Sequence, residues 1–306
     1  MGDQGSAPPF YTAQPSVILE GQSNQELASA LTSLLVEEAT EGLFRCEVTF
    51  GNWGNTDDNV IDYLYFNRRV LDFGKSLAFV IGAEKTRAKI FEGRITCLEG
   101  HYMKGGNREI LVLAEDRFQD LRMTRRTQTF ENMSDRDVIK QIVTKHGLIV
   151  DIDVEGPNQR ILAQVNQSDL SFIRDRARDI DAEIWIEGNI FHAKARNLRG
   201  TESVMLAYQE GLTEFSAIAD LANQHTSLGV SGWDVASKEE INYEASESAI
   251  SQEVNGKSGS SLLESAFGKR AEQIVHFAPS TLQEARFLAE AHYRKIARKS
   301  SLLQCR

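Results

Sequence analysis

Apolar and polar residues alternate with period two through much of the first third of the chain. Phe44-Arg45-Cys46-Glu47-Val48-Thr49-Phe50 places an apolar side chain at every second position, which is how a strand with one buried and one solvated face reads. Residues 64–70, 76–81, 88–98 and 109–114 continue the pattern, and turn-forming stretches at 51–55, 72–75 and 104–107 separate the runs. Many short strands joined by Gly-rich turns predict a barrel or sandwich over residues 16–122. Residues 25–39 are the exception and predict a short helix. The first fifteen residues contain Pro8, Pro9 and Pro15 among small polar residues and read as an extended or flexible tail.

From 123 to 200 the period changes. Ser134 followed by Asp137 fits a helix cap, and Val138, Ile139, Ile142 and Val143 then share one helical face. Gly147 is placed to end that helix in a left-handed conformation, with Leu148 as the apolar residue beyond it. A second helix is expected from Ser168 or Asp169, burying Leu170, Ile173, Ala177 and Ile180. Gly188-Asn189 inside 183–191 marks a tight hairpin. This segment predicts a small α/β domain.

The remainder, 201–306, carries weaker signals. Leu212, Phe215, Ile218 and Leu221 recur at three-residue spacing and predict a helical stripe, while 228–233 reads as a strand. Residues 246–261 are rich in Ser, Gly, Glu and Asn and read as a linker. A final helix is expected over 281–299, with Ser280 and Gln283 as its capping box. Leu282, Ala285, Ala289, His292 and Ile296 form a seam suited to another helix.

Charge and cysteines narrow the function. The chain of 306 residues has a net charge of −10, which argues against a nucleic-acid binder, since such proteins displace counterions with a basic face. Cys46, Cys97 and Cys305 are too few and too scattered for a disulfide framework or a zinc site, and a reducing compartment is the natural reading. No signal peptide is seen at the start, and no apolar run approaches the roughly 20 residues that would span a bilayer. Synthesis in the cytoplasm without a membrane anchor is expected.

Asp151-Ile152-Asp153-Val154-Glu155-Gly156 begins like a calcium loop, but its twelfth position is Leu162 and not a bidentate Glu; a strand with a solvated acidic face fits better. Gly256-Lys257-Ser258 lacks the earlier glycine of a phosphate loop, Ser251 standing there. The six histidines show no metal-ligand spacing, and His146 suits the last turn of a helix, where a cation meets the dipole. Asp175, Asp179, Asp181 and Glu183 interleave with Arg174, Arg176 and Arg178, which predicts a solvated ion-pair face. Arg122, Arg125, Arg126, Arg294, Lys295, Arg298 and Lys299 are expected at the surface. No cofactor and no enzyme activity are expected. The alternative is a cell-wall hydrolase using Asp179 or Glu183, which would need a paired acid and base.

Four segments in shared order resemble the phage late control D and VgrG family, the hubs of contractile tails and type VI secretion spikes. They are Phe91-Glu92-Gly93-Arg94-Ile95-Thr96; residues 129–139, with Phe130, Asn132 and Ser134, followed by His146-Gly147-Leu148; residues 167–177, with Gln167, Ser168, Asp169, Phe172 and Arg176; and Gly232-Trp233-Asp234 with Lys238. Ser134 and Ser168 read as helix caps, and Phe130, Phe172 and Trp233 as core aromatics.

The resemblance implies a β-rich α+β chain with two tube-like β-barrel domains, 16–122 and 201–306, and the α/β domain 123–200 outside them. It also implies a homotrimeric ring of six similar barrels that joins a three-fold spike to a six-fold tail tube. Tail tube, spike and baseplate proteins would be the partners, and the virion tail or injection-system baseplate the location. Residues 212–219 would be extended, against the helical spacing. Segments 167–177 and 212–238 look more like phage D proteins than VgrG, and the expected spike is a separate polypeptide or lies outside this sequence.

Overall fold

Period-two alternation becomes one seven-stranded antiparallel sheet. Its strands are β1 (Ser16–Leu19), β2 (Gln22–Ser23), β3 (Leu31–Glu37), β4 (Arg45–Gly51), β7 (Ser76–Ile81), β8 (Ala88–Tyr102) and β9 (Arg108–Glu115), in spatial order β2-β1-β7-β8-β9-β4-β3. Two short strands, β5 (Gly54–Asn55) and β6 (Ile61–Asp62), pair separately. The computed structural model describes residues 14–40, 42–55, 60–82, 87–198, 214–250 and 256–305. The chain divides into two compact units, Met1–Met123 with Trp185–Ile190, and Thr124–Ile184 with Phe191–Arg306.

In the first unit, Cys46, Val48 and Phe50 of β4 point inward and meet Leu77, Phe79, Phe91, Ile95, Ile110 and Val112 in one core, while Arg45 and Glu47 face solvent. Burial pushes the Cys46 thiol up to about 12, so it packs as a small hydrophobe and not as a nucleophile. Helix α1 (Gln25–Ala30) is capped by Asn24, whose side chain accepts from the Leu27 amide. It stops there because Leu31 enters the ladder with β4, so the helix expected over 25–39 survives only in its first six residues. Helix α2 (Phe118–Arg122) buries Phe118 and Leu121. Residues 64–70, expected as a strand, are turns. The Asn52 carboxamide oxygen accepts from the Leu64 and Tyr65 amides at 3.0 and 2.7 Å, and Arg68 adopts a left-handed φ of 63°. A side chain thus takes the place of the ladder.

Residues 125–195, most of them in the second unit, form two small sheets and two helices. Strands β10 (Arg125–Ser134) and β12 (Asn158–Ser168) make an antiparallel ribbon, and β11 (Ile149–Asp153), β14 (Ile190–Ala195) and β13 (Ala182–Glu187) make a three-stranded sheet. Helix α3 (Asp135–Lys145) starts on Ser134, whose hydroxyl accepts from the Asp137 amide at 3.2 Å. Helix α4 (Asp169–Asp179) starts on Ser168, which accepts from the Ser171 amide at 3.2 Å. Gly147 ends α3 at φ 69°, with Leu148 buried beyond it.

Further along, β15 (Phe215–Ala219) pairs with β19 (Ser301–Cys305). The helical stripe expected through Phe215 and Ile218 is therefore a strand, as the resemblance implies; Leu212 lies outside the described residues. Strand β16 (Ser227–Asp234) runs antiparallel to β17 (Glu239–Ser246) and parallel to β18 (Ala271–Ile274). Within the expected linker 246–261, helix α5 (Gly259–Phe267) already begins, capped by Ser258; residues 251–255 lie outside the described residues. Helix α6 (Leu282–Ala297) is capped by Thr281 and not Ser280. Glu284 closes the box by accepting from the Ser280 amide at 2.7 Å. Its Ala285, Ala289, Tyr293 and Ala297 pack on Leu228, Val230, Ile241 and Ala245, so the expected helix–helix seam chiefly covers a sheet, and Leu282 is exposed.

Closed barrels are not what these strands form within one chain. Among the described residues no ladder joins β2 to β3, so the large sheet ends in two open edges, and the last segment is a small sheet under α6 beside a two-stranded ribbon. The architecture is α+β and rich in strand.

Gly232 tests the packing of the second unit. A Cβ there would collide with the Pro279 carbonyl oxygen, whereas the neighbouring Trp233 side chain is 56% exposed, contrary to its expected place in the core. Urea unfolding should show Gly232→Ala costing about 1–3 kcal/mol, the range for forced overpacking. Trp233→Ala should stay within about 0.5 kcal/mol. Equal costs at the two positions would contradict this placement.

Candidate functional site

Two arrangements stand out, one exposed and one buried. The exposed one lies in the first unit, where the turn after β4 and the end of β8 bring four rings together. Trp53 and Tyr63 meet edge-on at 5.2 Å between centroids, Tyr63 and Tyr102 at 4.7 Å, and Phe66 and Tyr102 at 6.4 Å. The Arg108 guanidinium lies 3.7 Å over the Trp53 ring, a cation–π contact. Buried Asn52 holds the turn in place through its bonds to the Leu64 and Tyr65 amides. All four rings remain partly in solvent, as do Val60, Ile61 and Met103. A groove of about 550 Å³ runs past Tyr63, Phe66, Arg69 and Tyr102. Contiguous exposed aromatics of this kind mark interaction surfaces. No motif in the sequence announces it, because the rings come from separate turns.

The buried arrangement, in the second unit, gathers several residues of the segments singled out in the sequence. Asp169 accepts from His146 Nε2 at 2.8 Å, from Arg126 Nε at 3.1 Å and from Gln164 Nε2 at 2.9 Å. Gln164 also donates to the Gln167 carbonyl, and the Gln167 carboxamide reaches Asp175. Burial pushes the Asp169 carboxyl up, but the hydrogen bonds from Gln164, His146 and Arg126 outweigh it and hold the group below the usual carboxylate range. His146 therefore does more than end a helix: it ties α3 to the start of α4. Phe130 and Phe172 stack at 5.7 Å, with the Arg176 guanidinium 5.9 Å from the Phe172 ring. Asn132 sits in β10 at a left-handed φ of 52°.

The acidic cluster differs from its expected solvated face. Only Asp175, 3.0 Å from Arg178, is an exposed pair. Asp179 is buried and bonded to Arg176, and buried Asp181 takes both arms of Arg298 at 2.5 and 2.7 Å. Arg294 lies 3.8 Å from Asp181, and Arg196 3.4 Å from Glu183. Arg126, Arg294 and Arg298, expected as solvated, are partners of buried carboxylates.

Gly232, Trp233, Asp234 and Lys238 stand apart, on the β16–β17 hairpin. Asp234 accepts from the Ala236 and Ser237 amides at 2.8 and 3.2 Å, and these bonds hold its carboxyl low. Lys238 closes the turn at φ 60°, its amide donating to the Asp234 carbonyl at 2.8 Å. The acidic strand at Asp151 is solvated as expected; the hydrogen bond from His192 holds the Asp151 carboxyl low, helped by Lys194. Among the described residues no cluster of three or more His, Cys, Asp or Glu is placed to hold a metal, and no helix is long and apolar enough to cross a membrane.

Asp169 has a signed pH consequence. A carboxyl depressed in the folded state contributes stability that is present above its unfolded value near pH 4 and lost as pH falls through the lower folded value. Asp169→Asn should cost about 1.5–3 kcal/mol near pH 7 by urea unfolding, the range for hydrogen bonds to a charged group. The gap to the unaltered chain should narrow below about pH 4. A gap that persists unchanged in acid would contradict the network.

No curated protein matches the chain. Among solved structures it resembles the 43 kDa tail protein of prophage MuSo2 from Shewanella oneidensis, with TM-score 0.67 and 13% identity over 96% of this chain and 82% of that one. It also resembles a tail protein from Neisseria meningitidis, with TM-score 0.65 and 10% identity over 96% and 80%. The prophage tail protein gp18 of Listeria monocytogenes gives TM-score 0.55 and 13% identity over 90% and 76%. At such identities the likeness is one of fold. The family model described as the Alg8 N-terminal domain matches residues 12–302, nearly the whole chain, and the protein belongs to that family.

Proposed function

We propose that the chain is a structural hub of a contractile phage tail or phage-derived injection system, of the late control D and VgrG kind. In this reading it is a homotrimer that adapts a six-fold tail tube to a three-fold spike, and it sits in the virion tail or baseplate. The observation that carries the proposal is the shared fold: 96% of the chain superposes on solved tail proteins at TM-scores of 0.67 and 0.65.

Two features of the first unit support self-assembly. Among the described residues, β2 and β3 have no ladder on their outer sides, and an open sheet edge is where another chain can add a strand. The aromatic patch around Tyr102 offers apolar area of the sort that permanent complexes bury. Tube-like β domains would then be completed between subunits and not within one. The role is mechanical and not enzymatic. The hydrolase alternative draws no support from Asp179 and Glu183, since Arg176 and Arg196 engage them.

Light scattering on the purified chain should give three times its mass of 34.2 kDa. Tyr102→Glu, which puts a charge in the patch, should lower that mass without altering the circular dichroism. Monomer at every concentration, alone and with a cognate spike, would overturn the proposal. Peptidoglycan turnover abolished by Asp179→Asn would favour the hydrolase.

A further inference from the structure

The rings of the aromatic groove in the first unit can be reached from solvent, with Tyr63 38% and Tyr102 46% exposed. Tyr63 stands edge-on to both Trp53 and Tyr102, at 68° and 67° between ring planes. At that exposure both tyrosines keep ring surface for a ligand. Asn67 and Arg69 line the same groove and carry hydrogen-bond donors. The Asp62 carboxylate on its wall accepts from the Tyr63 amide at 2.8 Å.

Aromatic rings with donors beside them suit a proline-rich segment. Proline rings hold such a segment extended, so it loses little backbone freedom on docking. Its prolines lack N–H groups and offer carbonyl acceptors only, which Asn67 and Arg69 can meet. Aromatic-lined grooves recognise polyproline II segments in this way. A nucleic acid, the other ligand that stacks on rings, is disfavoured by the net charge of −10.

The chain itself carries a segment of that chemistry. Adjacent prolines occur in this sequence only at Pro8-Pro9, and Phe10-Tyr11 follow them. These four lie outside the described residues, which begin at Gln14. Gln14 is placed close to the groove. Its Nε2 donates to the Ala28 carbonyl at 2.6 Å, beside α1. Two residues on, the Ala30 carbonyl oxygen lies 3.7 Å from where a Gly51 Cβ would stand, and Trp53 comes two residues after Gly51. Those two steps cover about 3 Å of helix and at most about 7 Å of extended chain. Residues 8 to 11 stand three to six before Gln14, roughly 9–19 Å of polyproline II chain at about 3.1 Å per residue. Pro15 also disfavours helical backbone at Gln14, which keeps the approach extended. We infer that Pro8-Pro9-Phe10-Tyr11 docks on the aromatic groove of its own chain, its proline rings against Tyr63 and Tyr102 and its carbonyls toward Asn67 and Arg69. The inference does not rest on the hub role: where copies assemble, the docked segment and the rings are covered together.

Chymotrypsin cleavage after Phe10 and Tyr11 in the full chain tests this, read against a free peptide of residues 5–14 over a range of protein concentrations. Cleavage of a docked segment tracks its undocked fraction, so the chain should be cut about tenfold more slowly than the peptide, by the same factor at every concentration. Tyr63→Ala should return the rate to within about twofold of the peptide with circular dichroism unchanged. Tyr63→Phe, which keeps the ring, should retain the protection. If Tyr63→Ala does not fold, the double variant Pro8→Gly, Pro9→Gly, read against its own peptide, should lose the protection instead. Cleavage of the unaltered chain as fast as the peptide, or protection that survives in a folded Tyr63→Ala chain or in the double variant, would overturn the inference. Protection lost on dilution would place the segment on a second copy and overturn docking within one chain.

Discussion

A strand shows alternate residues to opposite faces, and the first unit depends on that constraint. Slipping β4 by one residue against β9 would turn Cys46, Val48 and Phe50 to solvent and bring Arg45 and Glu47 into the core, so the register is closely specified. The same ladder that fixes the register in the middle of the sheet leaves β2 and β3, among the described residues, with one side unpaired. Unpaired edges are a liability in a lone chain and a resource in an assembly. The exposed aromatic patch in the same unit points the same way, because rings that pack on one another in solvent give up little side-chain freedom when a partner covers them.

The second unit depends on neutralising buried carboxylates. Asp169 is satisfied by three donors, and Asp181 by a bidentate arginine from the end of α6. Each pair joins segments far apart in the sequence, so each acts as a registry pin between elements. Breaking such a pair is costlier than forming it is favourable, because a lone charge would remain buried. His146, Ser168 and Asp169 thus have structural work: the first and last are bonded to each other, and Ser168 caps α4. Asp135 meets the rule only in part: Gln159 donates to one oxygen, and Arg176 lies 3.6 Å from the other.

Local signals were legible and long-range ones were not. Ser134 and Ser168 as caps, Gly147 as a helix end and the alternation in β4, β8 and β9 are set by the local sequence, and each is present. The spacing at Phe215 and Ile218 misled because all five residues of β15 are exposed, so no buried face imposes period two. At 64–70 the alternation was real, but Asn52 captured the backbone. The acidic cluster looked solvated because its partners are distant: Arg298 is 117 residues from Asp181. Trp233 looked like core by composition alone, yet the small residue beside it, Gly232, is the one that packs against Pro279. The aromatic patch draws on turns spread from Trp53 to Tyr102, a juxtaposition that only the folded ladder creates.

The hub role claims that open β sheets of several copies close around a shared axis, and imaging decides this most directly. Electron cryomicroscopy of the purified chain, averaged without imposed symmetry, should yield a three-fold ring around a central channel, with β2 or β3 paired across subunits. Particles of single subunits, or a symmetric complex whose sheet edges stay unpaired and whose aromatic patch faces solvent, would contradict it.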